Sequence, residues 1–157
     1  MGLDMYLTRR AHIANYNHDS AGKGLSAKIL TALGAKNPEQ YDSGSINVEL
    51  PAGYWRKANQ IHAWFIANVQ NGEDNCQETR VTTEHLQQLR DLCQQVSDNH
   101  NLAHELLPSQ AGFFFGGTGY DEWYFQDIEK TIEILDRALD PENVITRYDS
   151  FYYQSSW

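Results

Sequence analysis

Sulfur, proline and positive charge are all scarce in this chain. Only two cysteines, Cys76 and Cys93, occur among 157 residues. A fold stapled by several disulfides is therefore excluded, and the choice is between one 76–93 bridge and two free thiols. The four prolines leave long stretches open to helix and strand. Lys and Arg number 12 against 21 Asp and Glu, for a formal net charge of -9. General nucleic-acid binding, which depends on phosphate-facing cations, is not expected. No apolar run approaches the roughly 20 residues of a membrane-spanning helix. The first residues carry no apolar targeting segment, Arg9-Arg10 is followed by no hydrophobic region, and Tyr6 stands where a myristoylation signal needs Ser or Thr. The expectation is a cytoplasmic protein with no membrane partner.

Aromatic residues, by contrast, are abundant: 12% of the chain, with 9 Tyr and 4 Trp. They bury large areas and favour stacking sites and interfaces. At this length the chain reads as a single domain, 1–157. Its centre of organisation is residues 112–125, GFFFGGTGYDEWYF. Three successive phenylalanines, Phe113 to Phe115, predict a short buried strand. A glycine turn follows, and Asp121 is placed to cap a helix. Strand, glycine turn and helix N-terminus in succession make a geometry that many ligand sites use.

Around that centre the chain reads in order. Leu3, Met5 and Leu7 alternate with Asp4, Tyr6 and Thr8, predicting a half-buried strand that can continue to Ile13. Residues 25–33 predict a short helix, and 15–45 as a whole predict a variable loop or insertion. Ile46, Val48 and Leu50 predict a second strand stopped by Pro51. Residues 54–70 predict the first long helix, with Ala58, His62, Phe65, Ile66 and Val69 on one stripe, Trp55 and Ile61 beside it, and Arg56, Gln60 and Ala67 facing water. Thr82 is the expected cap of a second long helix whose inner face is Leu86, Leu89, Cys93 and Val96. The third runs from Asp121, with Tyr124, Ile128, Thr131, Ile132, Leu135, Ala138 and Leu139 inward. Asp127 lies beside that stripe with no assigned role. Residues 151–154 predict a closing strand. The fold class expected is α+β: a small antiparallel or mixed sheet with about three main helices on one face.

Four blocks stand out as unusual words in a fixed order: MGLDMYL at 1–7, GYWRKANQIHAWF at 53–65, the run from 106 to 124 that contains GFFFGGTGYDEWY, and YYQSSW at 152–157. With them the chain resembles a family of small, uncharacterised bacteriophage and prophage proteins. The resemblance implies a phage-type protein acting in a bacterial cytoplasm, and it implies no particular activity.

Candidate site residues cluster in two of those blocks. Trp55, Asn59 and His62 share a helix face, so either they meet a ligand or His62 is a buried histidine satisfied by a hydrogen bond. Arg56 and Lys57 sit in the expected first helical turn, where cations are disfavoured unless an anion faces them. Gly116, Gly117 and Thr118, flanked by Tyr120 and Trp123, form a turn whose backbone N–H groups suit a phosphate, or glycines serving only the turn. Asp121 and Glu122 oppose an anion there. His100 and His104 have helical metal-ligand spacing, yet no metal site and no cofactor is expected. The expected function is a binding protein that takes a nucleotide-like small molecule, sequestering a host signal in counter-defence. Two alternatives stand beside it: an inhibitor of a host protein, and a small enzyme using His62 with Asp121 or Glu122. The aromatic tail, ending in Trp157, suits either a sheet closed upon itself or a homo-oligomer.

Overall fold

The computed structural model describes residues 2–16, 19–41, 45–112 and 115–157. Four strands form one antiparallel sheet: β1 (Asp4–Ile13), β2 (Ile46–Arg56), β3 (Thr79–Val81) and β4 (Ser150–Ser156), in the order β2-β1-β4-β3. Among the described residues five α-helices accompany it: α1 (Ser20–Ala32), α2 (Asn59–Asn68), α3 (Thr83–Asp98), α4 (Ala103–Leu106) and α5 (Glu122–Leu139). The class is α+β, as the sequence predicts. Among the described residues, no helix is long and apolar enough to cross a membrane.

Alternation along β1 sets the two faces of the sheet. Met5, Leu7, Ala11 and Ile13 are buried, whereas Tyr6 and its neighbours on the other face meet solvent. The inner face packs under α2, α3 and α5 into one core. Phe65 of α2 stacks on Tyr153 of β4 at 3.9 Å. Trp55 of β2 donates its indole N–H to Thr131 Oγ1 of α5 at 2.9 Å. Arg90 of α3 pairs with Asp136 of α5 at 2.7 Å. Arg9, alone among inward residues of β1 in being charged, places its guanidinium on the carbonyls of Ala138 in the last turn of α5 and of Asn143 in the turn that follows.

Helices α3 and α5 start as expected. Thr82 accepts from His85 N at 3.1 Å and Asp121 from Tyr124 N at 3.1 Å. The inner face of α3 is the predicted one. On α5, Ile134 is buried, while Ile132 and Leu139 lie at the margin of the core.

Four readings need correction. Strand β2 does not stop at Pro51 but runs on to Arg56, because the register with β1 shifts between Leu7 and Thr8 and Pro51 sits at that irregularity on an edge strand. The first long helix consequently starts at Asn59, not at 54. Lys57, with φ at 61°, makes the break between strand and helix. The short helix predicted over 25–33 opens five residues earlier, at Ser20, because Asp19 caps it there. Finally, the polar loop before α3 contains the unforeseen strand β3. Of the predicted strand at 113–115, Phe113 and Phe114 lie outside the described residues; Phe115 is buried on a bend.

Candidate functional site

Two side chains hold the glycine loop. Asn59, at the start of α2, donates through Nδ2 to the carbonyls of Phe115 (3.1 Å) and Gly117 (2.8 Å). Its Oδ1 accepts from Gln110 N at 2.8 Å. Ser109 Oγ closes the same loop on the carbonyl of Thr118 at 2.8 Å. Gly116 has φ at 88°, in the left-handed region, and a Cβ there would stand 3.3 Å from Lys57 Cβ. Lys57 is itself left-handed. Two strained or glycine-dependent residues thus face each other across the loop, a concentration typical of functional sites.

Beside this loop lies a cleft of about 510 Å³. Six of the sequence-predicted residues line it: Arg56, Lys57, Asn59, Gly116, Gly117 and Trp123. Trp123 is 73% exposed, a large aromatic face open to a ligand. Helix α2 begins at the cleft with Ala58, which supplies no side-chain cap, and has no acidic residue in its first turn. Of its first-turn N–H groups, Asn59 N donates to the carbonyl of Lys57 at 2.8 Å and Ile61 N to that of Ala58 at 3.1 Å, so the turn is satisfied mainly by backbone. Arg56 now belongs to the end of β2 and Lys57 to the turn. Their expected place in a helical first turn is corrected, but they still reach the cleft.

Four predicted residues lie elsewhere. Trp55 is fully buried on the inner face of the sheet, paired across from Met5. His62 is fully buried; Nδ1 meets Tyr153 Oη at 2.7 Å and Nε2 meets Asp74 Oδ2 at 3.0 Å. It is the satisfied core histidine of the two readings, and Asp121 and Glu122 are not its partners. Asp121 caps α5 at the cleft, and Glu122 accepts from Gln126 on the helix surface. Thr118 and Tyr120 are exposed on the outer side of the loop and tied to Ser109. Trp157 donates to Asp74 Oδ1 at 3.0 Å, so the tail is fastened within the chain. The thiols are free; Cys93 is core, its pKa pushed up to about 12 by burial.

The cleft residues that the sequence reading did not assign include Gln60, Asp127 and Lys130. Gln60 was expected to face water, yet it is 2% exposed and its buried amide lies against the Asp127 carboxyl at the cleft. Asp127, on α5, lines the cleft beside it. Burial pushes its carboxyl up to about 6; the Gln60 amide and Lys130 pull the other way, and Asp121 adds to the rise. The only available signal was spacing: Trp123, Asp127 and Lys130 are four and three residues apart, one face of a helix.

A second concavity, about 660 Å³, opens on the outer face of the sheet near Arg80, Arg147 and Tyr148. Among the described residues it has no buried polar atom without a partner. Nor, among them, do three His, Cys, Asp or Glu side chains converge as metal ligands; His100 stacks on Phe125 at 3.7 Å. Comparison of the chain with protein-family models, curated proteins and solved structures finds no match.

Proposed function

We propose that the protein binds a small nucleotide-like ligand in the cleft between the glycine loop, the start of α2 and the first turns of α5. The observation that carries this reading is the company kept by Trp123. An exposed indole shares the cleft with Arg56, Lys57 and Lys130. A base stacks on an indole, and a phosphate suits the cations. Lys57, Lys130 and Arg56, which also faces Asp4 at 4.0 Å, offset Asp121 and Asp127. The cleft volume lies within the usual range for small-molecule sites, about 300–1,000 Å³. The resemblance to phage proteins suggests the setting: removal of a host nucleotide signal in a bacterial cell, with binding rather than turnover as the task.

Turnover is a second reading, favoured by Asp127 alone. A carboxyl with its pKa near 6 in a cleft is suited to general acid–base work. The host-inhibitor reading expects a large apolar patch; the outer sheet face carries the exposed Tyr6–Tyr54 pair beside Arg10 paired with Glu49 and Glu78.

Native mass spectrometry of protein purified gently from a bacterial host tests the proposal. Expected is added mass equal to a nucleotide, lost in the Arg56→Ala/Lys57→Ala double variant while its melting temperature is kept. A bare chain that takes up no added nucleotide would refute the reading.

A further inference from the structure

The face of the sheet turned away from α2, α3 and α5 holds a site that the nucleotide reading does not use. We propose that the concavity around Arg80 and Arg147 docks an acidic segment of a partner protein, whatever the cleft takes.

Strand alternation builds the site. Tyr153 of β4 is buried on the inner face, so its neighbour Tyr152 points outward, and Arg80 of β3 stands opposite Tyr152. The turn before β4 adds Arg147, whose guanidinium lies 4.7 Å from the centre of the Tyr148 ring. Arg80, Arg147, Tyr16, Tyr148 and Tyr152 line a concavity of about 660 Å³.

The charges around it are matched within the chain, but those two arginines are not. Arg10, whose guanidinium lies over the Tyr152 ring at 4.0 Å, meets Glu49 at 2.6 Å and Glu78 at 3.1 Å. Asp149, the acidic residue of the lining, accepts from the N–H groups of Ile145 and Thr146 at 2.9 Å and faces Arg9 at 3.9 Å. Arg80 and Arg147 are exposed, and among the described residues neither pairs with a carboxylate. A chain of net charge -9 thus presents two unneutralised guanidinia among three tyrosines.

That composition selects the occupant. Tyr and Arg are the side chains that anchor protein interfaces. Docking strips water from a guanidinium, so the partner must bring it a carboxylate, which guanidinium holds through two parallel hydrogen bonds. A nucleic-acid strand needs a track of cations, whereas here Glu49 and Glu78 would face its phosphates. The partner segment therefore carries at least two Asp or Glu residues, with apolar side chains between them to lie on the tyrosine rings.

Fluorescence anisotropy of the full chain tests this with three labelled probes: a peptide of Glu-Leu-Asp repeats, the same peptide with Gln and Asn for Glu and Asp, and oligothymidylate. The acidic peptide is expected to bind at least about tenfold more tightly than the neutral one, and to weaken as salt is raised. Arg80→Gln and Arg147→Gln should each weaken it at least about fivefold, whereas Arg137→Gln, the same loss of charge on α5, should change it less than about twofold. Melting curves check that the variants keep the fold, and the wild-type comparison of probes stands without them. Equal binding of the two peptides, or none at millimolar concentration, would overturn the proposal. Tighter binding of oligothymidylate, lost in the same two variants, would overturn the protein partner and make this face a nucleic-acid platform.

Discussion

A half-buried carboxyl such as Asp127 loses hydration that Gln60 and Lys130 replace only in part, so it holds its proton to about pH 6 in the fold against 3.8 for an ordinary Asp. The sign of the resulting stability follows directly. Because the folded pKa is raised, the folded chain binds this proton first as pH falls. The stability linked to it is complete below about pH 4 and is lost as pH rises through 6. At pH 7 the charged form costs the fold about 1–2 kcal/mol, after allowing for the solvent that still reaches it. Asp127→Asn should therefore melt higher than wild type at pH 7, with the gain gone at pH 4. Melting curves at the two pH values check this, and an equal effect at both would contradict the burial of the charge. The residue was invisible in the sequence because nothing in a helical wheel says that Gln60, on another helix, will face it. Gln60 was misread for the same reason. Its helix is buried on nearly every side, so the angular position that faces water on a surface helix here faces the cleft.

At the scale of elements, β2 departs furthest from its reading and does most to position the site. Had the strand ended at Pro51, Arg56 and Lys57 would lie on a helix. The β1–β2 irregularity lets the strand pass Pro51, turns Trp55 inward and delivers Arg56 and Lys57 to the cleft rim. Proline ends a strand when its missing N–H breaks a ladder; on an edge strand at a bulge there is less to break. Gly53 belongs to the same arrangement. A Cβ there would lie 2.5 Å from Ile134 Cγ2 and 3.2 Å from the Trp55 ring. Gly53→Ala should cost about 1–3 kcal/mol by overpacking the junction of β2 and α5. Urea unfolding checks it: the midpoint should fall with little change in far-UV circular dichroism, and an unmoved midpoint would contradict the tight packing. Helices α3 and α5 were legible because period, cap and apolar stripe agree in each. The short β3 was not, since three residues leave no period to read.

The whole molecule is a sheet with one covered face, and the cleft lies at the rim of that cover, where the start of α2 meets the glycine loop and α5. The α+β class and the covered face could be read from alternation and helical stripes alone. The site was half legible. The cations, the glycines and Trp123 announce themselves as residue types at odds with a plain surface. The roles of Asn59 and His62 depend on partners 56 and 91 residues away, at Phe115 and Tyr153, which local pattern cannot reveal. Nitrogen-15 heteronuclear NMR of the chain titrated with GMP and with AMP tests the central claim most directly. The account predicts shifts of the Trp123 indole and of the Gly116, Gly117 and Gly119 amides, with the buried Trp55 indole left in place. Shifts confined to Arg80, Arg147 and Tyr148 on the outer sheet face, or none at millimolar nucleotide, would contradict it.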